Sequence, residues 1–171
     1  MKEKRDSAKK DRTYDSEGYT RRAGCLCFKT DSEKEVLLVT SKGSPDKWIV
    51  PAGGVENGEQ YDEAAVREAL EEAGVRGSIA RPLGMFQDDI SRKRTMLYVL
   101  IVKEELEVWQ DAAQGGRRRA WFSVHKAWDL LSHRPCQQSY LSKVIHSHSN
   151  SEPVKWSSWT LTKRPSHCPT V

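Results

Sequence analysis

Three glutamates, Glu68, Glu71 and Glu72, are the residues whose type and spacing are best suited to chemistry. They stand at positions i, i+3 and i+4, so on a helix each like-charged pair would repel by roughly a few tenths of a kcal/mol. A divalent cation would turn this repulsion into binding, because hard ions such as Mg²⁺ take oxygen ligands and share them with substrate phosphates. A solvated acidic face on an ordinary surface helix is the alternative, and the glutamates alone do not separate the two.

The segment that carries these glutamates has the periodicity of an amphipathic helix beginning at Tyr61. Apolar residues recur at helical spacing and are expected to cover one side, with the glutamates opposite; they are Ala65, Val66, Ala69, Leu70 and Ala73. Gly74 is expected to end the helix, because glycine takes the left-handed conformation at little steric cost. Before the helix, Gly53-Gly54 predicts a tight turn that lets the backbone approach a ligand closely.

Fixed positions around the glutamates make the pattern specific: Gly53, Glu59, Arg67-Glu68, Glu71-Glu72 and Gly74-Val75. At each of these positions the chain resembles the signature of the Nudix hydrolases. The resemblance implies an α/β fold in which a mixed β-sheet lies between helices as an α/β/α sandwich. It also implies a loop–helix–loop metal site and hydrolysis of a nucleoside diphosphate linked to another group, or of another diphosphate.

Glu68 and Glu72 lie one helical turn apart and are the expected metal ligands. By the family resemblance, the backbone carbonyl of Ala52 supplies a further ligand. Mg²⁺ is the expected ion and Mn²⁺ is the alternative, since both suit oxygen ligands.

Glu71 is the expected general base for the attacking water, although members of the family differ in which glutamate takes that role. The resemblance implies that Arg67 pairs with Glu59 and braces the loop on the helix. Such a pair would orient the catalytic groups without touching the reacting atoms.

Outside the signature, the chain resembles one branch of the family, the diphosphoinositol polyphosphate phosphohydrolases. The resemblance runs from about residue 12 to residue 140 and rests on TYDSEGYTRRAGCLCF, EVLLVTS, DKWIVPAGGVE, GRRRAWF and RPCQQSY. It implies removal of the β-phosphate of diphosphoinositol polyphosphates and cleavage of diadenosine penta- and hexaphosphates. A nucleotide-directed hydrolase of diadenosine polyphosphates or capped RNA is the alternative enzyme. A module that binds polyanions without cleaving them is a remote alternative, because it would normally have a broken glutamate cluster.

A substrate dense with phosphate needs a site ringed by cations and backbone N–H groups. The candidates come from separate loops and strand ends: Arg12, Thr20, Arg21, Arg22, Ser41, Lys42, Gly53, Gly54, Ser91, Arg92, Lys93, Arg117 and Arg134. Thr20, Gly43 and Ser91 stand where the branch commonly has a basic residue. We expect Lys42 and Arg92 to compensate from neighbouring positions.

The chain has 171 residues, a net charge of +4 and 30% charged residues, which predicts a single domain. We place that domain at residues 12–146, between tails at 1–11 and 147–171 whose polar composition predicts disorder. Cys25 and Cys27, two of four cysteines, lie two apart in an apolar run and are expected to be buried thiols. With no apolar run of membrane-spanning length and no secretory leader, we expect the cytoplasm, or alternatively the nucleus. We also expect a monomer.

The remaining elements follow from periodicity and turn signals. The predicted strands are 24–28, 35–40, 48–51, 79–85, 95–102 and 120–122. The predicted later helices are 124–131 and 138–145, and the predicted loop is 41–47.

Overall fold

The computed structural model describes residues 12–149, which fold around a seven-stranded mixed β-sheet. The strands are β1 (Thr20–Phe28), β2 (Glu35–Ser41), β3 (Ser44–Ile49), β4 (Ala52–Gly54), β5 (Val75–Asp88), β6 (Lys93–Glu105) and β7 (Arg119–Ser123). The helices are α1 (Tyr61–Ala73), α2 (Gln110–Gly115), α3 (Val124–Leu130) and α4 (Pro135–Ser149).

The sheet order is β3-β2-β1-β6-β5, with β4 paired to β1 and β7 paired to β2. Strand β1 runs parallel to β6 and antiparallel to β2 and β4. Strands β2 and β4 share one edge of β1, because β2 pairs at Cys27 and Phe28 while β4 pairs with residues 22–24. The chain therefore returns to the middle strand just before it enters α1.

Apolar side chains pack on both faces of the sheet, as strand alternation requires. On β1, Leu26 and Phe28 join the core beneath α3 and α4. Cys25 and Cys27 face the other way, into the core that α1 covers. The expected α/β/α sandwich with a mixed sheet is confirmed, and so is the burial of both thiols.

Helix α1 has the predicted bounds, but its buried face differs from the predicted one. Val66 is 37% exposed, whereas Glu68 is 4% exposed and lies among the buried alanines. The prediction of all three glutamates opposite the buried face is therefore wrong. The helix turns its small alanines and Glu68 toward β1 and β4, because the backbone of β4 lies directly over them.

Two segments predicted as loop or turn are strands instead. Of the predicted loop 41–47, residues 44–47 belong to β3, which pairs with β2 beside a β-bulge between Thr40 and Ser41. The glycine turn is β4, which pairs antiparallel with β1. In both cases the hydrogen bonds offered by a neighbouring strand override the turn-forming composition.

Other boundaries shift as well. Strand β5 extends beyond the predicted 79–85 and has register shifts on either side of Arg81-Pro82, and the short helix α2 was not predicted. Helix α4 continues to Ser149, so the domain boundary predicted at residue 146 falls within it. The remaining parts of both predicted tails lie outside the described residues.

Among the described helices, none has the length and apolar character needed to cross a membrane.

The C-terminus of α1 ends at Gly74, which has a φ of 63°. Its neighbours leave no room for a side chain, because a Cβ there would lie 2.6 Å from the Trp109 ring. Arg119 donates hydrogen bonds to the carbonyls of Ala73 and Gly74, each at 2.9 Å. A cation on terminal carbonyls complements the helix dipole and fixes this end of α1.

We predict that Gly74→Ala lowers the free energy of unfolding by about 2–4 kcal/mol, because it adds left-handed strain and overpacking against Trp109. Gly115→Ala is the matched control, since its Cβ would meet open space. Urea denaturation followed by circular dichroism measures both variants. Equal stability of the two variants would contradict this account of the cap.

Candidate active site

Two neighbouring clefts open on the same part of the sheet and share Arg22 and Ala52 in their walls. The smaller, with a volume of about 330 Å³, is lined by Glu68, Glu71 and Glu72. The larger has a volume of about 520 Å³, and its charged lining residues are mainly basic. We call them the acidic cleft and the basic cleft.

Glu68 lies directly beneath β4. A Cβ on Gly53 would stand 2.1 Å from the carboxylate carbon of Glu68, so any larger residue would displace this carboxylate. Nη1 of Arg67 lies 2.8 Å from Oε1 of Glu68. The glycine thus leaves room for a buried carboxylate, and the arginine balances its charge.

Arg67 connects the helix to the loop before it. Its Nε and Nη2 donate to the two carboxylate oxygens of Glu59 at 2.7 and 2.9 Å. Nη2 also donates to the carbonyl of Gly54 at 2.9 Å. The bidentate geometry gives the pair orientation as well as strength, and the residues expected to brace the loop are in contact.

Glu72 is also largely enclosed. Its Oε2 accepts a hydrogen bond of 3.0 Å from the backbone N–H of Ala52 and lies 3.1 Å from Nη1 of Arg117. The pKa of Glu72 is raised to about 7, chiefly by burial and also by nearby Glu68 and Asp111, while Arg117 and the hydrogen bond from Ala52 oppose the rise. Near neutral pH this carboxyl can exchange a proton for a cation.

Glu71 is the most accessible of the three glutamates. Its side chain is 21% exposed, and its Oε1 lies 3.5 Å from Nη1 of Arg67. It lines the acidic cleft without being enclosed by β4. A carboxylate in this position can take a proton from a water in the cleft.

The acidic cleft has the donor chemistry that a hard divalent cation requires. Within residues 12–149, no three histidine, cysteine, aspartate or glutamate side chains form a ready-made metal cluster. Glu68, Glu72 and the carbonyl of Ala52 would supply part of the ligand set, leaving positions for water and substrate phosphates, as Mg²⁺ prefers. The carbonyl of Ala52 accepts a hydrogen bond of 2.8 Å from Arg22.

The basic cleft gathers some of the predicted phosphate-binding residues. Arg22, Ser41, Lys93 and Arg134 line it. Burial lowers the pKa of Lys93, and so do the charges of Arg22, Arg134 and Arg12. Mutual repulsion among these cations favours an anionic ligand between them.

Other predicted phosphate-binding residues have different partners and are absent from the lining of both clefts. Arg21 lies over the Tyr61 ring at 4.8 Å, and Ser91 donates to Asp88 at 2.6 Å. Thr20 starts β1 and donates its N–H to the carbonyl of Arg92. Neighbouring strand residues point to opposite faces, so Arg22 reaches the clefts and Arg21 does not.

Lys42, Gly53 and Gly54 line the acidic cleft rather than the basic one. Arg117 is 6% exposed and lies behind Glu72, 3.3 Å from Asp111. The phosphate contact of Arg117 stays a prediction, and in this structure the side chain lines neither cleft. Burial of its guanidinium between two carboxylates is the physical reason.

Sequence reasoning missed Asp111, Lys47 and His133. Asp111 is 5% exposed and lines the acidic cleft from α2. Lys47 and His133 line the basic cleft. Asp111 lies in a six-residue helix and Lys47 in a strand with a loop-like composition, so local pattern gave no signal for either.

A NUDIX domain model matches residues 18–144. The chain belongs to the Nudix hydrolase family. This Nudix hydrolase is 51% identical over 135 residues to diphosphoinositol polyphosphate phosphohydrolase 3-alpha of Mus musculus, a match that covers 78% of the chain and 82% of the relative. It is 51% identical over 134 residues to diphosphoinositol polyphosphate phosphohydrolase 2 of Homo sapiens, covering 78% and 74%.

Solved structures show the same fold. An Ap4A hydrolase binary complex of C. elegans has a TM-score of 0.60 and 20% identity, covering 75% of this Nudix hydrolase and 98% of that chain. A NUDIX hydrolase from Nitrosomonas europaea has a TM-score of 0.61 and 21% identity, covering 75% and 90%. Nudix hydrolases generally need a divalent metal, which agrees with the donor set of the acidic cleft.

We predict that Gly53→Ala lowers turnover by about 100-fold or more, because the new methyl group would displace the Glu68 carboxylate. Gly115→Ala is the control, since a Cβ there meets open space and Gly115 lines neither cleft. Initial rates, together with Mn²⁺ binding by electron paramagnetic resonance, measure the effect. Similar losses in the two variants would show that Gly53 is not specifically required.

We predict that, without metal, the wild type loses on the order of 3 kcal/mol of stability between about pH 4.5 and 7 relative to Glu72→Gln. In this window the folded state holds the proton and the unfolded state releases it, so stability falls as pH rises and levels off above 7. Urea denaturation midpoints measured in EDTA at several pH values test this. Glu107→Gln, at an exposed glutamate, is the control and should follow the wild type. Parallel profiles for wild type and Glu72→Gln would refute it.

Proposed function

We propose that this chain removes the β-phosphate of diphosphoinositol polyphosphates and also splits diadenosine polyphosphates, with Mg²⁺ in the acidic cleft. The observation that carries the proposal is the junction of the two clefts at Arg22 and Ala52. Carboxylates for a metal stand on one side of this junction and cations for phosphates on the other. The names of the relatives support the same substrate class.

The metal would be held by Glu68, Glu72 and the carbonyl of Ala52. When bound, a divalent ion neutralises phosphate charge and makes water more acidic. Glu71 then accepts the proton of the attacking water at its carboxylate, as its exposure in the cleft allows. Arg67 holds the Glu68 carboxylate in place through its ion pair with Oε1.

Phosphates that do not react would lie in the basic cleft. Arg22 lies at the boundary, while Lys93 and Arg134 line the cleft beyond it. Phe86 and Tyr140 also line this cleft but are only 2% and 6% exposed and pack edge to face at 4.6 Å. These rings belong to the core, so they give a nucleobase little surface for stacking, and a phosphate-rich ring suits the cleft better.

The proposed cellular compartment rests on the state of two cysteines. The free, buried thiols of Cys25 and Cys27 suit a reducing compartment such as the cytoplasm, with the nucleus as the alternative. Capped RNA stays an alternative substrate, and the monomeric state stays a prediction.

The test compares initial rates on a diphosphoinositol polyphosphate, a diadenosine hexaphosphate and capped RNA, each with Mg²⁺ or Mn²⁺. We expect the diphosphoinositol polyphosphate to react fastest. Glu71→Gln and Glu72→Gln should each lower its turnover by about 100-fold or more without loss of fold. Near-normal activity in both variants, or faster turnover of either other substrate, would overturn the proposal.

A further inference from the structure

The basic cleft lacks several charges that the sequence resemblance led us to expect. Thr20, Gly43 and Ser91 are uncharged, and the two expected substitutes do not supply the missing charge. Nζ of Lys42 lies 3.0 Å from Oδ1 of Asp111, in the acidic cleft. Arg92 does not line the basic cleft either.

Arg92 has a different role in the fold. Its Nη2 donates to the carbonyl of Glu17 at 2.6 Å, and its guanidinium lies 4.1 Å from the centre of the Tyr19 ring. Arg94 lies 4.3 Å from the same ring. The two arginines therefore fix the segment before β1.

Lys47 offers a cation that no sequence motif indicated. It lies on β3 next to Trp48, which pairs with Thr40 of β2 beside the bulge at Thr40 and Ser41. Lys47 lines the basic cleft together with Arg22, Lys93 and Arg134. Among residues 12–149, its amine has no ion-pair or hydrogen-bond partner, in contrast to that of Lys42.

The charge balance of the basic cleft favours a polyanion over a neutral ligand. Four lysine and arginine side chains line it, against one carboxylate, that of Asp88. Asp88 already accepts hydrogen bonds from the backbone and hydroxyl of Ser91. Its charge acts on Lys93, and among residues 12–149 no ion pair joins it to Lys47.

We propose that Lys47 is a phosphate-binding, specificity-determining residue that contacts substrate phosphates remote from the scissile bond. The proposal rests on the proposed function, since it assumes a polyphosphate in the basic cleft. Lys47 lines the basic cleft but not the acidic one. Its interaction is therefore made equally in the ground state and in the transition state, so its loss raises KM and leaves kcat nearly unchanged.

The test removes the charge of Lys47 and measures binding and catalysis separately. Lys47→Met should raise KM for the diphosphoinositol polyphosphate about tenfold, in line with one lost charge-assisted hydrogen bond. The affinity for inositol hexakisphosphate, measured by calorimetry in EDTA, should fall by a similar factor. Lys47→Arg should retain both values.

Lys103→Met is the matched control, because Lys103 is an exposed lysine near the far end of β6. It should leave KM and affinity unchanged. An unchanged KM in Lys47→Met for every substrate that the wild type cleaves would overturn the assignment, as would an equal effect in Lys103→Met. Should the wild type cleave only diadenosine polyphosphates, the proposed function fails, and KM for that substrate then decides the role of Lys47.

Discussion

The guanidinium of Arg67 is the group on which the rest of the site depends. Glu68 carries a carboxylate that is almost fully buried, and burying such a charge without a partner costs several kcal/mol. Arg67 compensates this charge and binds Glu59 and the carbonyl of Gly54 at the same time. One planar group thus fixes the helix, the loop and β4 relative to one another.

The opposite end of α1 is held by different means. Arg119 donates to the last carbonyls of the helix, and the indole N–H of Trp109 donates to the carbonyl of Glu72 at 3.0 Å. Behind Glu72, the guanidinium of Arg117 lies between that carboxylate and Asp111. Carboxylates and guanidinium groups alternate along this side of the helix, so the carboxylates are in place before a cation or substrate enters.

Local pattern predicted much of the structure. The bounds of α1, the left-handed Gly74 and the buried core of β6 follow from periodicity and glycine chemistry over a few residues. Residues 44–47 of β3 and the strand β4 could not be predicted in this way, because pairing with β2 and β1 creates them.

The glutamate cluster was visible in the sequence, but the burial of Glu68 was not. That burial depends on a glycine 15 positions earlier lying directly over the carboxylate. Which residues line the basic cleft could not be predicted from the sequence either. Arg21 and Arg22 are neighbours of the same type, and only the strands beside β1 determine which of them faces a ligand. Lys42 and Lys47 differ in the same manner, because one meets a carboxylate and the other does not.

The position of Arg22 at the boundary of both clefts has a consequence for inhibitor chemistry. Small anions that occupy either cleft alone would bind weakly, since each meets only part of the charge. A compound that joins a metal-chelating group to a clustered polyanion across Arg22 would engage both clefts as one molecule. Once one group is bound, the other would be held at a high effective concentration near its own cleft. With a short linker of the right span, the joined compound should therefore bind more tightly than either group alone.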